Sequence, residues 1–299
     1  MKSLIDSLAY VGATTSDIDR WSRYGDQVLG LERSSDSDES LLYLRADQRH
    51  HRLSIHRGDR DDISHVGWQV GSGDRMQAVA ETLTKHGVEV RSGTPEEKSD
   101  RRVRDLIHFM CPHSEVRMEV CWGHQEIFLP RFRPPRDLTG FEMGDGGMGH
   151  VVLYAPDVVA ASEFYRDVLG FGITDLTVPP GGSAPIGAFL HCNSRHHSLA
   201  FFGIPDAPRR LQHVMFQTSS LDDVGTTYDL CREHNMTTTS IGRHYNDRAV
   251  SFYFQNPSGW HFEFAWDPRE IDPSVWRTEY YVPGGPGVAW GHEGLFQMV

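Results

Sequence analysis

Hydrophobic and polar residues alternate in short stretches along this 299-residue chain, which is the pattern of β-strands with two different faces. In the second half, GHVVLYA (149–155) and LQHVMFQTSS (211–220) alternate in this way. AVSFYFQNPSGWHFEFAW (249–266) is a predicted hairpin, because the turn-forming residues Asn-Pro-Ser-Gly interrupt two aromatic strands. In the first half, LAYVGAT (8–14) and SHVGWQV (64–70) show the same alternation, so strands are predicted in both halves.

Two segments between the strands of the second half have the end signals of helices. Asp157 is expected to cap a helix that runs through EFYRDVLG and ends at Gly170. Ser220 is expected to cap a second helix, through DDVGTTYDLCREHN, that ends at Asn235. The first half has the same order of strands and helices.

Landmarks of the first half recur in the second half, in the same order and roughly 140 to 150 residues later. The matching pairs are LGL at 29–31 and LGF at 169–171, RHH at 49–51 and 195–197, ISHVGWQV at 63–70 and LQHVMFQT at 211–218, and PHSEVRMEVCW at 112–122 and PSGWHFEFAW at 257–266. Such a series is hard to obtain by chance, and we interpret it as an internal duplication.

The repeated order of elements predicts an α+β fold made of four βαβββ modules, two per domain. Each pair of modules is expected to form a barrel-like sheet that curls around a concave interior. We predict an N-terminal domain at 1–123 and a C-terminal domain at 148–299. The segment 124–147, rich in Pro, Gly and charge, is the predicted linker. The aromatic tail at 267–299 has to pack on something.

Composition and charge exclude several classes of protein. The formal net charge of −12 opposes binding to nucleic acid and to anionic membrane surfaces, which require basic patches. No apolar run approaches the roughly 20 residues that a membrane-spanning helix needs, and the N-terminus does not resemble a signal peptide. The four cysteines show no CxxC spacing, so we expect buried free thiols and a cytoplasmic protein.

Three polar residues of the second half break the expectation that inward positions of half-buried strands are apolar: His150, His213 and Glu263. A glutamate between two phenylalanines is costly to bury unless it is paired or bound to a cation. Two histidines and one carboxylate form the ligand set of a facial-triad iron(II) site, which leaves coordination positions open. Their spacing alone matches no local metal-binding motif.

The duplication strengthens the prediction of a metal site. His65 and Glu119 occupy two of the matching positions in the first half, and Tyr10 stands where His150 stands in the second. Each residue alone is more often an ordinary strand residue, but all three at equivalent places favour a metal site. We therefore predict an active site in the C-terminal half and a vestigial one in the N-terminal half.

Several stretches together resemble the type I extradiol catechol dioxygenases of the vicinal oxygen chelate superfamily. They are GHVVLYAPDVVAASEFYRDVLGF, NSRHHSLAFF, LQHVMFQ, GRHYNDRAVSFYFQNPSGWHFEFAW and the terminal WGHEG. The resemblance covers nearly the whole chain, is strongest over 148–266, and points to two-domain members that act on 2,3-dihydroxybiphenyl or 1,2-dihydroxynaphthalene. The GRHxND…SFY…PSG…E block is specific to this family, whereas the βαβββ unit alone is not.

The resemblance implies a role for each of nine residues. It implies that iron(II) is bound by His150, His213 and Glu263. It implies catalytic roles for His197, His244 and Tyr253. It implies substrate contacts for Phe189, Asn246 and Asp247. Ile204 stands where relatives often carry a bulky aromatic residue, which bears on the choice of substrate.

The reaction implied by the resemblance inserts both atoms of O₂ into a bicyclic or aryl-substituted catechol, next to its two hydroxyls. A base has to remove a hydroxyl proton and an acid has to return one as the O–O bond breaks. A histidine can do both, and His197 is the expected residue. Its neighbour His196 is expected to point to the other face of a regular strand. The resemblance also implies a homo-oligomer.

Three alternatives remain open at this point. Manganese(II) would use the same ligands as iron(II). A glyoxalase-like isomerase or lyase of the same superfamily is a second enzyme class, although such sites typically carry a second carboxylate where this chain has His150 or His213. A metal-free module that binds an aromatic compound leaves the buried Glu263 unexplained. The stretch 281–287 is expected to line the entrance of the site.

Overall fold

The N-terminal half folds into one sheet covered by helices. The computed structural model of the protein describes residues 3–182, 184–204, 206–281, 288–295 and 298. The strands of this half are β1 (Ser7–Thr15), β2 (Glu32–Arg33), β3 (Leu41–Arg45), β4 (Leu53–Arg57), β5 (Ile63–Gln69), β6 (Arg91–Ser92), β7 (Asp105–Met110) and β8 (Arg117–Trp122). Its helices are α1 (Ile18–Tyr24), which continues into a π-helical turn at Gly25–Leu29, α2 (Gly73–Lys85) and α3 (Pro95–Asp100).

The C-terminal half repeats this order of elements. Its strands are β9 (His150–Tyr154), β10 (Gly172–Thr177), β11 (Gly187–His191), β12 (Leu199–Phe202), β13 (Leu211–Gln217), β14 (Gly242–His244), β15 (Val250–Gln255) and β16 (His261–Trp266). Its helices are α4 (Val158–Leu169) and α5 (Leu221–Glu233). Two strands of the tail follow, β17 (Glu279–Tyr281) and β18 (Val288–Trp290).

Strand order confirms the four predicted βαβββ modules. The N-terminal sheet has the order β2-β3-β4-β1-β5-β8-β7-β6, and the C-terminal sheet has the same order in its own strands, β10-β11-β12-β9-β13-β16-β15-β14. In each sheet two modules meet through one antiparallel central pair, β1 with β5 and β9 with β13. The tail strands add one strand to each edge of the C-terminal sheet, so the tail packs as extra sheet.

The helix boundaries of the C-terminal half follow the predicted end signals. The side chains of Asp157 and Ser220 accept hydrogen bonds from backbone N–H groups in the first turns of α4 and α5. Gly170 ends α4 in the left-handed region (φ 74°), and Asn235 has φ 54° just beyond α5. Both helices are therefore bounded as the sequence predicts.

The two faces of the C-terminal sheet differ in composition. The aromatic residues that alternate with Glu263 are fully buried on the convex face, where helices α5 and α1 pack on them; they are Phe252, Phe254, Phe262 and Phe264. The apolar core lies between sheet and helices. The concave face carries the three polar residues that were predicted to point inward, His150, His213 and Glu263.

The two halves pack directly against each other. Trp21 of α1 donates a hydrogen bond from Nε1 to Oγ of Ser258 (2.9 Å), and its ring lies 5.4 Å from that of Trp260. Arg136 in the connecting segment donates to the backbone oxygen of Val28 (2.9 Å) in the N-terminal half. Strand β8 ends just before the connecting segment, and β9 begins just after it. We therefore propose that the two domains have the predicted boundaries, 1–123 and 148–299.

The four cysteines are free thiols, as predicted. Cys111, Cys121 and Cys231 are buried, whereas Cys192 is only partly buried, so the prediction of burial was wrong for that residue. Within the described part of the chain, no helix has both the length and the apolar character needed to cross a bilayer.

Candidate active site

The three predicted metal ligands lie on neighbouring strands at the centre of the C-terminal sheet. Glu263 on β16 pairs with Met215 on β13, which in turn pairs with His150 on β9. His213 lies two residues before Met215 on β13, and therefore on the same face. The sheet register thus brings all three side chains to one place on the concave face.

Their ligand atoms converge. The Nε2 atoms of His150 and His213 lie 3.1 and 3.4 Å from Oε2 of Glu263 and 3.0 Å from each other. All three side chains are buried. One ligand atom from each lies within 4.8 Å of the others, and no second cluster of this kind occurs among the residues the structure describes. Two imidazoles and one carboxylate fit a divalent transition metal with open coordination positions.

The protonation states of these groups suit metal binding. Burial alone raises the pKa of Glu263, but hydrogen bonds with His150, His213 and His244 hold this pKa well below its usual range. Burial lowers the pKa of His213 to about 4, so its imidazole is neutral at neutral pH. An ionised carboxylate and a neutral imidazole are the forms that bind metals.

A second group of side chains holds the other oxygen of Glu263. Ser251 on β15 donates to Oε1 (2.6 Å), and Nε2 of His244 lies 3.3 Å from the same atom. The ring of His292 stacks on His244 with 4.2 Å between centroids. Neither Ser251 nor His292 was predicted as a site residue. One feature of the sequence pointed to Ser251. It lies two residues before Tyr253 in the same predicted strand, and therefore on the same face.

All nine predicted site residues line one cavity of about 290 Å³. They are His150, Phe189, His197, His213, His244, Asn246, Asp247, Tyr253 and Glu263. The remaining wall is largely apolar and includes Ile186, Phe202, Ile204, Leu295 and Met298. Tyr281 also lines the cavity, while the rest of the predicted entrance stretch, 282–287, lies outside the described residues.

His197 sits directly beside the candidate metal ligands. Its ring stacks on His150 with 4.0 Å between centroids, and the edge of Phe189 lies 5.0 Å away. Burial lowers the pKa of His197 well below its usual value, so the ring is neutral. The expectation for His196 was wrong, because its Nδ1 lies 3.1 Å from Nδ1 of His197. The two residues lie in a turn before β12, where strand alternation does not apply.

The other predicted catalytic residues contact each other. Nε2 of His244 and the hydroxyl of Tyr253 are 2.9 Å apart. Burial raises the pKa of Tyr253 well above its usual value, so the phenol stays protonated and can donate a hydrogen bond. Asp247 accepts a hydrogen bond from the backbone N–H of Ala249 (3.0 Å), and so shapes the turn that follows His244.

The N-terminal sheet contains the same row of positions without the same ligands. Tyr10 pairs with Gly67, which pairs with Glu119, in the register of His150, Met215 and Glu263. The prediction that Tyr10 replaces the first histidine is therefore confirmed. The hydroxyl of Tyr10 donates to Oε2 of Glu119 (2.8 Å). Gly67 is required here, since a Cβ at this position would lie 2.3 Å from the tyrosine ring.

Arg101 neutralises the buried Glu119. Its Nε donates to Oε2 and its Nη2 to Oε1, both over 3.0 Å, and Nη2 also lies 3.2 Å from Nδ1 of His65. The guanidinium supplies the positive charge that a cation would supply in the C-terminal half. This arrangement supports the interpretation of the N-terminal half as vestigial.

Comparisons with known proteins agree with this architecture. Residues 147–264 match the model of the Glyoxalase/Bleomycin resistance protein/Dioxygenase superfamily, and residues 8–58 match Dihydroxybiphenyl dioxygenase BphC D1. A 1,2-dihydroxynaphthalene dioxygenase of Sphingobium xenophagum is 36% identical over 94% of this chain and 93% of its own length. An iron-dependent extradiol dioxygenase of Rhodococcus jostii (strain RHA1) is 35% identical over 97% of each chain.

A solved structure gives the same result. The crystal structure of BphC, a halotolerant catechol dioxygenase, superposes with a TM-score of 0.88 at 33% identity, over 97% of this chain and 95% of that chain. The fold is therefore that of the Glyoxalase/Bleomycin resistance protein/Dioxygenase superfamily. Within it, the chain belongs to the type I extradiol catechol dioxygenases.

Replacing Arg101 by leucine should destabilise the N-terminal half, because it removes two hydrogen bonds from the buried Glu119 and leaves Arg117, whose Nε lies 2.8 Å from Oε1, as its remaining cation. We expect a loss of about 1–3 kcal/mol in the free energy of unfolding, measured by urea denaturation. Arg91→Ala, which breaks an exposed ion pair with Glu89, is the control and should have little effect. Equal losses in both variants would contradict the neutralising role of Arg101.

Proposed function

We propose that this protein is an iron(II)-dependent extradiol dioxygenase that cleaves a bicyclic or aryl-substituted catechol. The observation that carries the proposal is the convergence of His150, His213 and Glu263 in the cavity that also contains His197. In the reaction, the ring carbon–carbon bond next to the two hydroxyl-bearing carbons breaks. Both atoms of O₂ enter the ring-opened product, so no further reductant is consumed.

Iron(II) at these three ligands would supply the redox chemistry that allows a catechol to react with O₂. The relative named as an iron-dependent extradiol dioxygenase supports iron as the metal. The three ligands all come from one face of the sheet, which leaves the cavity side open for substrate. Holding both reactants there provides the proximity that the reaction needs.

The protein's own residues handle the protons. His197 is neutral and lines the cavity, so it can accept a proton from a catechol hydroxyl and later return it to oxygen. The protonated phenol of Tyr253 can donate a hydrogen bond to a catechol oxygen, and His244 lies within hydrogen-bonding distance of that phenol. Phe189, Asn246 and Asp247 would surround the substrate.

The apolar wall of the cavity supports a catechol that carries a second ring. Ile186, Phe202, Ile204 and Leu295 lie among the residues of this wall. They offer an apolar environment to the part of the substrate that does not react. Relatives named for dihydroxybiphenyl and 1,2-dihydroxynaphthalene support this substrate class.

Iron(II) added without oxygen, followed by 2,3-dihydroxybiphenyl and air, should give a yellow ring-cleavage product that absorbs visible light. The His213→Ala variant should fail to bind one iron per chain and should make no product, because it lacks one of the three ligands. His65→Ala removes the corresponding histidine of the N-terminal half and is the matched control, which should keep iron and activity.

Other outcomes identify the alternatives. Bound metal without ring cleavage of any catechol would favour the isomerase or lyase. Absence of metal would favour the metal-free binding module. Product after loading with manganese(II) but not iron(II) would replace the proposed metal and keep the reaction.

Replacing Ser251 by alanine should weaken metal binding, because the hydroxyl orients Glu263 through Oε1. Loss of a residue that orients a metal ligand typically costs about 10- to 100-fold in metal affinity. The measurement is competition for the metal with a chelator of known affinity. Ser114→Ala, at a fully buried serine of the N-terminal half, is the control. Unchanged affinity in Ser251→Ala would contradict the orienting role.

Replacing Ile204 by phenylalanine should fill part of the apolar wall and disfavour larger substrates. We expect kcat/KM for 2,3-dihydroxybiphenyl to fall by about tenfold relative to that for catechol. Val275→Phe, at an exposed position of the tail, should leave this ratio unchanged. An unchanged ratio in Ile204→Phe would show that the second ring lies elsewhere.

A further inference from the structure

Two buried residues stand behind His197 on the side away from the metal ligands. Nδ1 of His197 lies 3.1 Å from Nδ1 of His196, and Nε2 of His196 lies 3.0 Å from Oδ2 of Asp175 on β10. All three side chains are buried, and Asp175 is completely inaccessible. Asp175, His196 and His197 therefore form a continuous polar row that ends in the cavity.

Proton counting limits how this row can be protonated. Two ring nitrogens that face each other need one donor and one acceptor. Among the described residues, neither carboxylate oxygen of Asp175 has a hydrogen-bond partner, and the contact that Asp175 makes is the 3.0 Å approach of Nε2 of His196 to Oδ2. A buried carboxylate without a donor is costly, so a single proton on the His196 ring belongs on Nε2, facing Asp175. Its Nδ1 is then the acceptor, and Nδ1 of His197 must donate.

One group competes for the same nitrogen. Nη2 of Arg269 lies 3.4 Å from Nε2 of His196 and would favour the opposite arrangement. The same Nη2 lies closer to Glu279 (3.1 Å), and the guanidinium also lies over the ring of Trp276. Arg269 thus has other partners, whereas Asp175 depends on His196, so the balance favours a proton on Nε2 of His196.

We propose that Asp175 and His196 are positioning residues that set the ring orientation and the tautomer of His197. In this arrangement Nδ1 of His197 carries the proton, and Nε2 presents its lone pair to a catechol hydroxyl. The inference rests on the proposed function, in which His197 is the base. A histidine whose second nitrogen is held by a hydrogen-bonded partner is ready to accept a proton without rotating.

The N-terminal half contains the same arrangement and so provides a matched control. Nδ1 of His50 lies 3.1 Å from Nδ1 of His51, and Nε2 of His50 lies 3.0 Å from Oδ2 of Asp36. Here the aspartate side chain is 39% exposed and also pairs with Arg102. Among the described residues no candidate metal site lies beside this row, so its aspartate can be changed without touching the proposed active site.

The test compares Asp175→Asn with Asp36→Asn in the full-length chain. The tautomer of His197 is read from its ring ¹⁵N chemical shifts in protein loaded with diamagnetic zinc(II), with assignment by loss of the signals in His197→Gln. The wild type and Asp36→Asn should show the proton on Nδ1. In Asp175→Asn the new amide can donate to His196, which should move the proton of His197 to Nε2.

Kinetics of the iron-loaded enzyme give the second measurement. We expect kcat of Asp175→Asn to fall by about 10- to 100-fold with little change in KM. His196→Asn keeps an acceptor near the position of Nδ1 and should retain most of kcat. His196→Phe keeps a ring without an acceptor and should lose as much as Asp175→Asn. A merely structural role would lower the stability of the variants without this rescue.

The outcomes separate this inference from the proposed function. A wild-type proton on Nε2 of His197, or a tautomer and kcat in Asp175→Asn equal to those of Asp36→Asn, would overturn the inference. If the wild type shows the expected tautomer and Asp175→Asn reverses it, but no catechol is cleaved, the positioning of His197 stands and the proposed function fails.

Discussion

A carboxylate that is fully buried on a central strand has to be neutralised, and Glu263 imposes this requirement on the C-terminal sheet. One of its oxygens faces the Nε2 atoms of His150 and His213, and the other accepts a hydrogen bond from Ser251. These residues come from four adjacent strands, β9, β13, β16 and β15. The strand register and the helix-covered aromatic face both follow from placing this one group on the concave side. In the proposed function, a metal ion supplies the charge that completes the site.

The N-terminal sheet meets the same requirement in a different way. Glu119 occupies the position of Glu263, but Arg101 supplies a permanent cation and Tyr10 a hydrogen-bond donor. An internal guanidinium satisfies the carboxylate without leaving any open coordination position. The duplicated fold can therefore hold a buried carboxylate in both halves, because a guanidinium can meet the electrostatic requirement as well as a metal ion. Stability alone does not select between a guanidinium and a metal ion as the partner of the carboxylate. A reaction at the site requires the metal ion, because only the metal has open coordination positions.

Much of this arrangement could be predicted from the sequence, because the repeat carries the register. Matching landmarks between the halves correctly placed Tyr10 opposite Glu119, and the residue types at the caps of α4 and α5 marked their ends. Arg101 could not be predicted, since it lies outside the matched strands and meets Glu119 only through tertiary folding. Alternation shows that the two faces of a sheet differ, but not which one the helices cover. His196 was misplaced since a turn interrupts the alternation.

The tail accounts for the different exposure of the two aspartates in the Asp-His-His rows, since Asp175 is buried and Asp36 is partly exposed. Strand β17 pairs with β10, where Glu279 lies beside Asp175, and β18 pairs with β14, where Val288 lies beside His244. In the N-terminal sheet, β2 and β6 remain edge strands, and Asp36 stays partly exposed. Covering both edges of the C-terminal sheet adds protein beside Asp175 and His244, and a polar contact is stronger where protein replaces water. The repeated module thus supplies the geometry of the row, and the added strands change its surroundings in one half.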